Sequence, residues 1–379
     1  MYQTEKRYYF DWAATAIPWD KLPDNIHFGN PSSPHYEGMK AREALEDARK
    51  RCAIVLGVLP ENIYFSSGGT ESNNLVLYSF LKKRVKGRIL YSATEHPSIR
   101  ENCFVLERFG IPISPIAVEK DGRVSAETLS RALEKNTDTR FAAIMAVNNE
   151  IGTVTDMEKI ASVIRNKGGA PIHLHSDLVQ AVGKLPINIK CWDLDSASVS
   201  AHKLGGPIGI GLLYLKKPIE VLYAGDQERG IRPGTENVSG AIALAGLLEK
   251  LATPDTVKIE SAKAEERWQY LINSLKKIKR CSIIPEDRET QDARFSPWIL
   301  QARFKGIPGE VMLRALDAEG FAISTGSACS SASPERPVLA AMGLDEAARR
   351  EGIRISQGWT TTIEDIEALL KAIEKVQSL

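Results

Sequence analysis

Two hydrophobic periods take turns along this chain. Residues 33–57, SPHYEGMKAREALEDARKRCAIVLG, place Ala44, Ala48, Cys52 and Val55 near one face at helical spacing, which predicts a long amphipathic helix. IYFSS is a short apolar run, followed by GGTE and the helical pattern ESNNLVLYSFLKKR. RILYSAT reads as a strand, FAAIMAVNNE as a strand ending in polar residues, and IHLHSDLVQ as a strand running into a loop. DSASVSAHKLGGPIGIGLLYLKK reads as two strands joined by a glycine-rich loop. This alternation predicts an α/β fold with a mainly parallel central sheet.

The pattern changes after about residue 250. LATPDTVKIESAKAEERWQYLINSLKKI predicts a long helix with a polar face. Strands are expected at CSIIP and SPWILQARF, and helices at GEVMLRALDAEG and TIEDIEALLKAIEKVQ. The expected division is a large domain over 16–255 and a smaller α+β domain formed by 256–379 with 1–15.

Composition narrows the function classes. Hydrophobic residues make up 43% of the 379 and charged residues 26%, so a sizeable core can form. With 49 basic and 48 acidic residues the net charge is +1, which argues against nucleic acid or an anionic membrane as the main partner. No apolar run approaches the roughly 18 residues of a membrane helix. The start MYQTEKRYYFDW lacks the apolar stretch of a signal peptide, so a cytoplasmic location is expected.

The cysteines Cys52, Cys103, Cys191, Cys281 and Cys329 form no CxxC pair and have no metal-ligand spacing with histidine. Four sit among bulky or apolar neighbours and are expected to be buried structural thiols. Cys329 differs: it lies in STGSACSS, a stretch with almost nothing to pack.

Polar clusters fall where strands end, and open α/β sheets bind ligands there. SSGGTESNN, Ser66 to Asn74, offers glycines and a helix start that suit a phosphate, or an ordinary turn before a cap. His96 stands in TEHPS, and Asn149 in VNNEIG, where turn chemistry is the plain alternative. Asp177 ends an apolar strand and needs a cation or strong donors if buried, although a helix cap would also explain it. Lys203, in an otherwise uncharged stretch, is either an imine former or a lysine reaching solvent. Singly these are weak. In order, they supply a phosphate cup, a group to stack on a ring, a carboxylate for a ring nitrogen and an amine for an imine. One cofactor needs this set: pyridoxal 5'-phosphate (PLP).

The chain resembles the cysteine desulfurases, class V aminotransferases of PLP fold type I, over nearly its whole length. The resemblance rests on FDWAATAIP, FGNPSSPHYEG, FSSGGTESNN, ATEHPSI, VNNEIGTV, HSDLVQAVGKLPINI, SAHKLGGPIGIGLLY, ERGIRPGTENV, STGSACSSAS and IRISQGWTT. It implies that Lys203 joins PLP as an imine and that His96 stacks on the ring and helps proton transfer. Asp177 would pair with the ring nitrogen and Gln180 with the phenolic oxygen. Gly69, Thr70, Ser200 and His202 would hold the phosphate, helped by Thr235 from a partner subunit, so a homodimer is implied. Arg354 would clamp the substrate carboxylate with Asn149 assisting and Asn30 nearby. Cys329 would take sulfur from L-cysteine as a persulfide, leaving L-alanine. An acceptor such as an iron–sulfur scaffold, or tRNA thiolation, would follow. The motif around Cys329 resembles the long-loop branch; a lyase or aminotransferase of the same class, such as a selenocysteine lyase, is the alternative. Two departures stand out: Trp12 replaces the usual Asn or Tyr, and Pro334 and Pro337 stiffen the segment after Cys329.

Overall fold

The computed structural model describes residues 7–14, 29–82, 87–326 and 335–378. Its strands are β1 (Tyr8–Tyr9), β2 (Ile63–Ser66), β3 (Arg88–Ser92), β4 (Ile113–Ile116), β5 (Thr139–Ala143), β6 (His173–Asp177), β7 (Ser196–Ser200), β8 (Gly211–Leu215), β9 (Cys281–Ile284), β10 (Ile299–Phe304), β11 (Phe321–Ala322) and β12 (Gly352–Ser356). Strands β2 to β8 form a seven-stranded sheet in the order β2-β8-β7-β6-β5-β3-β4. β8 runs antiparallel to both its neighbours, and the other pairings are parallel. The expected α/β class with a mainly parallel sheet is therefore the observed one.

Strand alternation explains why this sheet is covered on both faces. Leu90, Ala142, Leu212, Ile63 and Phe65 pack into one core. Their neighbours Ile89, Tyr91, Phe141, Ala143, Leu213 and Tyr64 pack into a second, on the opposite face. Helix α1 (Tyr36–Leu56) buries Ala41, Leu45, Ala48 and Cys52 on the first face. Gly57 ends it at φ 67°, the left-handed conformation that glycine adopts without penalty. Helix α2 (Gly69–Tyr78) and helix α3 (Pro97–Arg108) cover the second face.

A third core lies in the C-terminal part, around the three-stranded antiparallel sheet β12-β10-β9. β1 pairs with β11 in parallel, so Phe10 enters this core, whereas Trp12 enters the first. Trp12 packs edge-on to Trp359 at 6.2 Å between ring centroids. Its ring takes the space that a side chain at residue 358 would need: a Cβ on Gly358 would lie 2.0 Å from it. This unusual tryptophan is a packing residue at the join of two cores.

Three expectations need correction. The helix expected from Leu251 begins at Pro254, because Thr253 caps it and proline favours the first helical turn. Leu251 instead ends the preceding helix. β5 stops at Ala143, short of the polar residues, though Ile144 N–H and Ala146 N–H still donate to His175 and Asp177 carbonyls. Cys191 is exposed and Cys281 half-buried, so only Cys52 and Cys103 are the buried thiols expected. Cys191 lies in a turn where its N–H donates to Asn188 Oδ1; Ile189 and Leu194 of that turn enter the first core, and Cys191 does not.

Candidate active site

The carboxyl ends of β2, β3, β5, β6 and β7 open onto one cavity of about 260 Å³, with Arg354 closing it from the C-terminal sheet. Its floor is a hydrogen-bonded network around Asp177. Asp177 Oδ1 accepts from the Val179 N–H at 2.9 Å, and Oδ2 accepts from Asn73 Nδ2 at 2.9 Å. Asn73, in the second turn of α2, also donates to Ser98 Oγ at 2.8 Å. Its Oδ1 accepts from His175 Nε2 at 2.9 Å. Burial pushes His175 down to about 3, with His173 adding to the effect, so its ring is neutral. With Nε2 donating, Nδ1 is left to accept from Ser196 Oγ at 2.8 Å.

The same network sets the proton on His96. This residue caps α3: its Nδ1 accepts from the Ser98 N–H at 3.1 Å and lies 2.8 Å from Ser98 Oγ. Burial holds it below the usual histidine range, against the pull of Asp177. The neutral ring therefore carries its proton on Nε2. His96 is thus both the helix cap and a lining residue of the cavity.

Opposite lies an anion cup. Gly68, at φ 153°, turns the chain from β2 into α2, and Gly69 begins the helix. A Cβ on Gly69 would lie 2.7 Å from Val179 Cγ2, so the helix start approaches the cavity closely only as glycine. Thr70, Ser200 and His202 line the cavity beside the positive end of the helix. His202 is held down to about 4, by burial first and then by Lys203 and Lys184. Lys203 sits in the turn Ala201–Leu204, and its Nζ donates to the carbonyls of Ala13 (2.7 Å) and Ala14 (2.5 Å).

The wall is Arg354 on β12, 1% exposed. Its Nη2 donates to Asp11 Oδ1 at 2.6 Å, and Nη1 to the Asn149 carbonyl at 2.9 Å. Its Nε is buried with no partner among the described residues. The Arg354 backbone bridges Ser324, the first residue of STGSACSS, with bonds in both directions. That places the stem of the segment beside the site; Cys329 and Pro334 lie outside the described residues, and Pro337 opens a short helix, Pro337–Ala341.

Gly69, Thr70, His96, Asn149, Asp177, Gln180, Ser200, His202, Lys203 and Arg354 all line this cavity. Thr235 and Asn30 do not. Thr235 is exposed, and Asn30 is exposed with its Oδ1 accepting from the Ser32 N–H. Sequence reasoning missed Asn73, Ser98, His175 and Asp11, although all four stand inside quoted motifs. It also missed Glu95. Its Oε1 accepts from the Met145 N–H at 2.6 Å, and its other oxygen is buried with no partner among the described residues. Burial, and then Asp177, push Glu95 up to about 8, so it is a neutral acid.

The set fits PLP: a carboxylate with fixed donors behind it, an amine, a ring-bearing side chain and an anion cup face one space. The comparisons with known proteins point the same way. A cysteine desulfurase IscS of Dictyoglomus turgidum is 34% identical over 98% of this chain and 95% of its own length. A cysteine desulfurase IscS of Proteus mirabilis is 37% identical over 98% and 92%. A solved NifS-like protein superposes with a TM-score of 0.89 at 32% identity, covering 98% of this chain and all of that one. Residues 8–369 match the aminotransferase class V family, and the chain belongs to it.

Proposed function

We propose that the protein is a PLP-dependent cysteine desulfurase that converts L-cysteine to L-alanine and carries the sulfur away on Cys329. The observation that supports it most is the convergence of Lys203, Asp177, His96 and Arg354 on one cavity. When bound, PLP supplies an electron sink for the pair left at the substrate Cα. Thr70, Ser200, His202 and the start of α2 would hold its phosphate, and Gln180 would face its phenolic oxygen. Asp177, oriented by Asn73 Nδ2 and the Val179 N–H, would pair with the ring nitrogen.

Arg354 would bind the substrate carboxylate, giving up Asp11 as it does so. Lys203 would be the base for the Cα proton. His96 can pass a proton at Nε2. The Cys329 thiolate attacks the substrate sulfur: the S–S bond forms, the C–S bond breaks, and its electron pair returns to carbon. L-cysteine and the enzyme thiol thereby give L-alanine and an enzyme persulfide. A homodimer with Thr235 reaching the partner's phosphate site, a protein sulfur acceptor such as an iron–sulfur scaffold, and a cytoplasmic setting complete the reading. We place the domain boundary near residue 255, with the first 15 residues in the smaller unit.

Cys329→Ala tests the acceptor. Sulfide release from L-cysteine should fall to background while PLP stays bound. Full release without Cys329 would instead favour a class V lyase that does not use the thiol.

A further inference from the structure

Lys184 is buried deeply, at 2% exposure, yet no step above uses it. It ends the short helical turn that follows β6, one turn beyond Gln180. Its backbone is fixed: its carbonyl accepts from Trp298 Nε1 at 3.0 Å. A Cβ on the preceding Gly183, at φ 72°, would lie 2.7 Å from Leu204. Among the described residues its ammonium makes one hydrogen bond, to Gln180 Oε1 at 2.8 Å. A buried ammonium with a single neutral acceptor is a poor stabiliser, and an apolar side chain of similar volume is commonly as good or better. The charge therefore points to an effect on its neighbours.

Two effects follow from where it sits. With Oε1 taken by Lys184, the Gln180 amide has one orientation. Nε2 must face the other way, where it donates to the Ala13 carbonyl at 3.0 Å. Ala13 is also an acceptor for Lys203 and lines the cavity. The second effect is charge. Gln180 and the Ala13 carbonyl connect Lys184 to Lys203 through three hydrogen bonds, of 2.8, 3.0 and 2.7 Å, so two ammonium groups share one small region. Burial, then Lys203, then Arg354 bring Lys184 itself down to about 7.

We propose that Lys184 is a positioning residue: it locks the Gln180 amide with Nε2 toward the cavity, and while it carries its proton it disfavours protonation of the Lys203 nitrogen. The inference rests on the cofactor reading above. It predicts the sign of a spectroscopic shift, since removing a nearby cation makes protonation easier.

The test is a pH titration of the visible absorbance of the purified holoenzyme, with melting temperatures measured alongside. Lys184→Met should raise the absorbance midpoint by about one pH unit, a tenfold change in proton affinity. It should melt no lower than wild type. Lys184→Arg, which keeps a charge and a donor, should return the midpoint most of the way. In combination with Gln180→Ala the shifts should add to less than their sum, because one acts partly through the other. An unchanged midpoint in Lys184→Met would overturn the proposal. So would a Lys184→Met protein that fails to fold or melts well below wild type, since Lys184 would then be a support of the fold. A wild-type protein with no visible band after loading with PLP would refute the cofactor reading instead.

Discussion

The floor and the wall of the cavity are held in opposite ways. On the floor, Asp177, Asn73, Ser98, His175 and His96 bond to one another in a chain, and each side chain has its orientation set by a neighbour. On the wall, Arg354 is held among the described residues by one carboxylate and one carbonyl, with Nε left over. A floor of this kind is built before anything binds. A wall of this kind has a partner that can be exchanged. The difference matches the chemistry proposed: cofactor groups need fixed geometry, whereas a substrate carboxylate arrives and leaves at every turnover.

Substitutions can break or sharpen that contrast. Lys203→Ala should be the most severe, removing the visible band of bound PLP and lowering turnover by about 10³-fold or more. Normal turnover in that variant, followed by alanine release, would defeat the whole assignment. On the floor, Asn73→Ala removes donors to Asp177 and Ser98 and leaves His175 without its acceptor. Steady-state kinetics should show kcat lower by about 10²-fold, the scale of two buried bonds of which one is charged. On the wall, Arg354→Ala should raise KM for L-cysteine by about 30-fold while PLP content stays near wild type. If both variants moved the same kinetic parameter, floor and wall would not be distinct. Asp11→Asn sharpens the point from the other side. It removes the competitor of the substrate carboxylate, so KM should fall by about threefold, while the melting temperature drops because a buried guanidinium loses its anion.

The last prediction concerns stability rather than rate. Glu95 is raised from the ordinary glutamate value of 4.5 to about 8 in the folded protein. Its proton therefore favours the folded state, and that advantage is complete below the unfolded value. As pH rises through 4.5 the unfolded chain ionises first, so stability falls until the folded value near 8 is passed. Glu95→Gln, which mimics the neutral acid, should flatten this decline and melt higher than wild type near pH 8, by on the order of a few kcal/mol of stability. Identical slopes of melting temperature against pH in the two proteins would show Glu95 to be ionised.

How much of this was legible beforehand depends on distance along the chain. Asp177 ends β6, and His96 and Lys203 stand within one short turn of the ends of β3 and β7, so their place at strand ends could be read from local pattern. The floor network could not. Asn73 meets Asp177 across 104 residues and His175 across 102, and only the packing of α2 against the sheet brings them together. Asp11 and Arg354 are 343 residues apart, and Asp11 sat in a motif where Trp12 drew attention instead. Cys191 misled because a turn that packs Ile189, Leu194 and part of Trp192 onto the first core still leaves the residue between them exposed. Thr235 and Asn30 came from resemblance rather than from pattern, and this chain alone does not bring them to the cavity.

The central claim is that sulfur leaves L-cysteine and stays on the protein. Mass spectrometry of the holoenzyme after brief treatment with L-cysteine, without reductant, tests it directly. The account predicts one added sulfur on the peptide bearing Cys329, removed by thiol reductant and absent in Lys203→Ala. Alanine formed in the same sample with no added sulfur at Cys329, or with the sulfur on another cysteine, would contradict it.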